Sequence, residues 1–130
     1  MFSIHSTSAE RSLDFSDVQD GSFLVELRDR QFSASRRVES WNPGLSVREY
    51  FSNLSAQRLP WEGELCWGAV DGFFISATCS RLGHVSLNVT LSSSVEGAGW
   101  EVSGVIACDL GQLPSIGFAA AALFAAKGGS

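Results

Sequence analysis

Asp71-Gly72 constrains this chain more than any other pair of its residues. An Asp-Gly step supplies the positive backbone angles of a two-residue turn whose twist matches the strands it joins. Apolar and polar residues alternate on both sides of it, so the flanking runs read as antiparallel partners: Val70 faces Phe73, Gly68 faces Ile75 and Cys66 faces Ala77. A three-residue loop over Ser80-Arg81-Leu82 then sets Ala77 against Val85, Ile75 against Leu87 and Phe73 against Val89. After a polar loop, a strand from Trp100 to Leu110 continues the meander with Trp100, Val102, Ile106 and Cys108 turned inward. The outer face is then left with Leu65, Trp67, Phe74, Ser76, Thr78, His84, Ser86, Asn88, Thr90, Glu101 and Ser103, which are mostly small hydroxyl and aromatic side chains.

Upstream, Phe23–Leu27 and Gln31–Val38 flank the polar Asp29-Arg30 and read as a hairpin. Asn42-Pro43-Gly44 breaks the chain. Ser46-Val47-Arg48-Glu49 is a capping box, in which the Ser hydroxyl accepts from the Glu49 amide while the Glu49 side chain reaches back to Ser46. Val47, Tyr50, Phe51 and Leu54 follow at helical spacing, on a helix that must end before Pro60. A second, Ala-rich helix runs from Leu113 to Lys127, carries Ile116, Phe118, Leu123 and Phe124, and is stopped by Gly128-Gly129. It belongs on the inner face of the meander.

Residues 1–21, rich in Ser and Asp and without a sustained period, read as a loose N-terminal arm or an edge strand; residues 22–130 read as a single α+β domain. The expected order is ββαββββα: an antiparallel sheet of about six strands with two helices packed on one face. The same pattern also permits a strongly coiled sheet approaching a barrel.

A chain of 130 residues leaves room for one domain, and an apolar content of 45% gives it a core. Charge narrows the partners. Nine Lys and Arg stand against fourteen Asp and Glu, a formal charge of −5, which argues against nucleic acid and for a basic partner if charge selects one. The longest apolar stretch, Ile116–Ala126, is about half of the ~20 residues a bilayer span needs, so no membrane is expected. The Met1–Ser6 segment lacks the basic and apolar run of a secretion signal, and the three cysteines, Cys66, Cys79 and Cys108, are an odd set at no metal-ligand spacing. Free thiols in a cytoplasmic protein without metal or cofactor are the expectation.

Trp61-Glu62-Gly63-Glu64-Leu65-Cys66-Trp67 gathers two carboxylates and two indoles where the meander begins. Glu62 and Glu64 would share one strand face at about 7 Å, with nothing beside them to mark a substrate pocket. Contact with the cations of a partner protein suits them better than catalysis. A thiol nucleophile would pair Cys66 or Cys79 with His84, but the expected register turns the cysteines inward and His84 outward. The plainer role for His84 is to close the turn from Ser80 to Gly83.

Gly44-Leu45, Tyr50-Phe51, Leu54, Trp61-Glu62-Gly63, Trp67, Asp71-Gly72, Leu82-Gly83-His84-Val85-Ser86-Leu87 and the Trp100 strand together resemble an uncharacterised bacterial domain family common in actinobacteria. The resemblance spans residues 22 to 125. Where an aspartate often precedes the Leu-Gly-His step in that family, this chain has Ser80-Arg81. More distantly, the order of elements and the Gly-His step resemble immunity proteins of the WapI type, which protect bacteria from contact-delivered toxins. That resemblance implies a non-enzymatic, immunity-type inhibitor with no catalytic residue to carry over. From the acidic and aromatic surface read above, the partner-binding set would be Trp61, Glu62, Glu64, Trp67, Phe74, His84 and Glu101, facing a basic toxin domain, and a homodimer is compatible with it. The competing expectation is a structural or small-ligand module whose sheet curls around an apolar pocket lined by Trp67, Phe74 and Trp100.

Overall fold

The computed structural model describes residues 1–19, 22–39, 47–69, 72–93 and 99–128. Eight strands and two helices follow one another as β1 (Phe2–His5), β2 (Arg11–Gln19), β3 (Ser22–Asp29), β4 (Ser33–Glu39), α1 (Val47–Ser55), β5 (Leu65–Ala69), β6 (Phe73–Cys79), β7 (His84–Ser92), β8 (Glu101–Asp109) and α2 (Leu113–Gly128). A 3-10 turn at Leu110–Gln112 leads into α2. The strands form two antiparallel sheets, β1-β2-β3-β4 and β5-β6-β7-β8, in place of the single six-stranded sheet the sequence suggested. Four strands and a helix thus occur twice. β1 and β5 start 63 residues apart, and α1 and α2 start 66 apart.

The N-terminal residues expected as a loose arm or edge strand form β1, which is an edge strand, and β2, which lies inside its sheet. Their apolar residues are buried: Phe2 and Ile4 from β1, and Leu13, Phe15 and Val18 from β2. The period of two is masked in β2 by a bulge between Ser16 and Gln19, where Asp17 takes a positive φ of 49°. Arg37 secures that bulge, reaching both the carboxylate and the carbonyl of Asp17 and the Ser22 hydroxyl.

Phe15 is where the layers meet. Its ring touches Phe2 and Phe23 of its own sheet, Phe73 of the other sheet, Phe51 of α1 and Phe124 of α2 at centroid distances of 5.4–6.0 Å. The inner faces of both sheets and the helices therefore share one core. α1 buries Val47, Tyr50, Phe51 and Leu54, the expected stripe; Ser46 of the expected capping box lies outside the described residues. α2 buries Leu113, Gly117, Ala120 and Phe124, and presents Gly117 to α1. A Cβ there would overlap the Ser55 side chain and lie 3.4 Å from the Phe51 carbonyl, so a glycine is what lets the helices approach.

The tight reversal differs from expectation in a way that changes which side chains are hidden. Ala69 pairs with Phe73, so three residues connect β5 and β6, and the register is displaced by one. A displacement of one turns a strand over. Trp67 and Leu65 consequently point inward and Cys66 outward, the reverse of the sequence reading. Val70 and Asp71 lie outside the described residues, while Gly72 has a φ of 83° and its carbonyl accepts from the Ser92 amide. Between β6 and β7 the register differs by two, with Ala77 opposite Leu87 and Cys79 opposite Val85, which preserves the faces: Phe73, Ile75, Ala77, Val85, Leu87 and Val89 are all buried as expected. Trp100 precedes β8 and is 42% exposed rather than inward.

β8 would be an open sheet edge, but the β1–β2 loop caps it. The Thr7 amide donates to the Ala107 carbonyl at 2.9 Å, and the Ala107 amide donates to the Ser6 hydroxyl at 3.1 Å.

Candidate functional site

Gly63, with a φ of 79°, bends the chain between α1 and β5, so Trp61, Glu62 and Glu64 sit on this bend and not on the strand the sequence assigned them. The bend faces the far end of β6 and the loop after it. Between them lies a cleft of about 640 Å³, with Trp61, Glu62 and Glu64 on one wall and Thr78, Cys79 and Arg81 on the other. Trp61 is half-buried, and its indole N–H donates to the Ala77 carbonyl at 3.3 Å, which fixes the ring against β6. Both carboxylates are exposed. Among the described residues neither is in an ion pair, and Glu64 accepts only from the Cys66 thiol at 3.5 Å.

His84 stands at the same end of the second sheet. The loop before it closes by backbone: the Ser80 amide donates to the His84 carbonyl at 2.9 Å, and the Gly83 amide donates to the Ser80 carbonyl at 3.0 Å. The imidazole is therefore free for another task. Nδ1 lies 3.4 Å from the Asp109 carboxylate, its directly opposite residue on β8. Sequence reasoning missed Asp109 because only the β7–β8 register brings the two together.

The other expected contact residues are elsewhere. Trp67 is 8% exposed and packs inside against Phe23 and Phe73, which removes it from any partner surface. Phe74 lies on the outer face, 45% exposed, over Gly68. Glu101 is opposite Ser92, eight residues along β7 from His84, or about 26 Å at ordinary strand rise. Trp61, Glu62, Glu64 and His84 thus belong to one end of the sheet, and Phe74, in the row of Thr90 and Ser103, and Glu101 to the other. Trp67 and Phe74 occupy opposite faces, so the apolar pocket expected from Trp67, Phe74 and Trp100 has no common wall.

With Cys66 turned outward it shares a face with His84. Cys66 is in the row of Asn88, which puts it about 13 Å along the strands and about 10 Å across them from the histidine. Its thiol is shared instead between the Glu64 carboxylate at 3.5 Å and the Ser76 hydroxyl at 3.6 Å. Cys108 is buried, and burial first, then the neighbouring Asp109 charge and Cys79, push its thiol up to about 11. Burial also raises the Tyr50 phenol, which donates to the Leu65 carbonyl at 2.8 Å.

No helix of the described residues is long and apolar enough to cross a membrane, and no group of three or more His, Cys, Asp or Glu among them could hold a metal ion. The molecule is an α+β domain of two four-stranded antiparallel sheets and two helices, with an open, acidic and aromatic cleft at one sheet end. It belongs to a family of unknown function, DUF6228, whose sequence profile matches residues 4–127. No curated protein and no solved structure matches the chain.

Proposed function

We propose that this domain is a non-enzymatic protein-binding module, an immunity-type inhibitor that acts in the cytoplasm and neutralises a bacterial toxin domain by covering it. The observation that carries the reading is the pair of exposed carboxylates, Glu62 and Glu64, beside the half-buried Trp61 at the cleft. Exposed charge free of ion pairs speeds encounter with a partner of opposite sign, and a fixed indole supplies apolar area at little entropic cost. His84 and Asp109 extend the surface, and Phe74, with Glu101 further along the outer face, makes it broad enough for occlusion. The likeness to actinobacterial domains and to WapI-type immunity proteins points the same way, and the residue balance, −4 over residues 61–130 of a total −5, favours a basic partner.

The test is co-expression with a panel of basic bacterial toxin domains, beginning with any encoded beside this gene. Growth should be rescued and the two proteins should co-purify. Glu62→Gln with Glu64→Gln should slow association about tenfold at low salt, and the difference should shrink as salt rises. Absence of both rescue and co-purification would end the proposal.

A further inference from the structure

We propose that the free edge of β4 is a self-association surface, along which a second copy of this chain pairs antiparallel and joins two first sheets into one continuous sheet. The two sheets have four edge strands, β1, β4, β5 and β8. An open edge is a template for pairing with another chain, and folded proteins shorten it, cover it or charge it. Three of these four are managed so. β1 has only four residues and lies beside α2 and β8. On β5 the Leu65 carbonyl is taken by the Tyr50 phenol. β8 is capped at Ala107 by the β1–β2 loop, and its Val105 carbonyl accepts from Arg11 at 2.9 Å. β4 differs: it has seven residues, no proline, and an unbroken register with β3.

The phase of the β3–β4 hydrogen bonds determines which groups of β4 are free. The Asp29 amide donates to the Phe32 carbonyl at 2.8 Å across the turn, so the bonded pairs alternate from there: Leu27 with Ala34, Val25 with Arg36 and Phe23 with Val38. The backbone of Ser33, Ser35 and Arg37 therefore faces away from β3. Among the described residues no backbone group bonds to that side; only the Arg37 carbonyl accepts a side chain, Arg36 Nε at 3.4 Å, and it keeps a second lone pair. The two arginines that could guard the edge are folded back onto their own chain. Arg37 reaches Asp17 and Ser22, and Arg36 reaches the Ser92 carbonyl. Between them and the turn stand only Ser33, Ala34 and Ser35, which are too small to obstruct an approaching strand.

This edge matches itself. With Ser35 opposite Ser35 of the second copy, Ser33 faces Arg37 and Arg37 faces Ser33, three pairs that can each exchange both N–H···O bonds. Ala34 then lies opposite Arg36, so no like charges are face to face, whereas the next bonded register toward Glu39 would oppose Arg36 to Arg36. Charge favours a second copy here and nowhere more acidic. From Arg30 to Val38 the chain has no carboxylate, and Arg30 and Arg37 are met by Glu10 and Asp17 of the same chain, so two molecules of net charge −5 meet along a stretch that is close to neutral. The Arg36 contact to Ser92 also sets this edge at the opposite end of β7 from His84, which leaves the acidic cleft open in the dimer.

The experiment is sedimentation equilibrium of the full chain under reducing conditions. The mass should rise from 13.9 kDa toward twice that value as the protein concentration passes about 100 µM, a range suited to a contact made by one strand pair. Ser35→Pro removes an edge N–H that the β3–β4 ladder does not use, so circular dichroism should be unchanged while association weakens by about tenfold or more. Should the proline variant fail to fold, Ser35→Lys, which opposes two ammonium groups across the junction, should have the same effect on association. In a Cys66→Ser background, Ser35→Cys should form an interchain disulfide on mild oxidation, because opposed bonded residues have Cα atoms about 5.5 Å apart; Ser33→Cys, about 13 Å from its counterpart, should not. A mass of 13.9 kDa at every concentration up to about 1 mM would overturn the proposal and leave the edge to an extended segment of a different protein. A dimer indifferent to the Ser35 substitutions, or equal cross-linking of Ser33→Cys and Ser35→Cys, would overturn it as well.

Discussion

Phe15→Ala tests the central physical claim about this fold, that the N-terminal strands are part of its core. Phe15 is fully buried and its ring contacts five other phenylalanines drawn from both sheets and both helices. Losing the burial of the ring costs about 2–3 kcal/mol. The cavity left behind, on the order of 100 Å³, adds about 2 kcal/mol if its walls do not collapse. Collapse is resisted here because the walls belong to five separate elements, β1, β3, β6, α1 and α2. The expected destabilisation is therefore about 4 kcal/mol, a large part of the ~5–15 kcal/mol available to a domain of this kind. With an unfolding entropy of about 2.1 cal/mol/K per residue over 130 residues, the melting temperature should fall by about 15 °C. Thermal and urea unfolding, followed by circular dichroism, measure it, with the exposed Leu82→Ala as a control expected to stay within about 0.5 kcal/mol. A fall of less than about 4 °C for Phe15→Ala would mean that residues 1–19 are an appendage and that the two-sheet core is wrong.

Gly117→Ala should destabilise by about 2–3 kcal/mol, since its Cβ overlaps Ser55, and the double variant with Ser55→Gly should recover most of the loss in the same unfolding assay; simple additivity would refute the close helix approach. Asp29 is held below the usual carboxylate range by the Gln31 amide and then by Arg11, so its contribution is present above the unfolded pKa of about 4 and is lost as pH falls through the lower folded value. Asp29→Asn should therefore flatten the acid limb of a stability–pH curve, and parallel curves for variant and parent would contradict that. At pH 8, iodoacetamide should label the exposed Cys66 well before the buried Cys108, whose thiol is pushed up to about 11; mass spectrometry of the labelled peptides decides, and equal rates would argue against the observed β5 register.

The sequence by itself determined the elements whose signals are local. The stripe at Val47, Tyr50, Phe51 and Leu54 has helical period and nothing to contradict it, and the same holds for the alternation along Phe73–Ala77 and Val85–Val89. Composition and charge pattern likewise picked out Trp61, Glu62 and Glu64, which do share a cleft. What only the tertiary structure decided was anything that depends on pairing. The connection after β5 is one residue longer than an Asp-Gly turn requires, and that single residue exchanged the faces of Trp67 and Cys66, because side chains alternate with a period of two. β2 was hidden by its bulge at Asp17, which interrupts the alternation, and so the repetition of four strands and a helix was hidden with it. His84 with Asp109, and His5 with Ser12 and Arg28, are neighbours through strand register across gaps that no spacing rule bridges. Local propensity is written in adjacent residues, whereas register is settled by which side chains the shared core around Phe15 can accommodate.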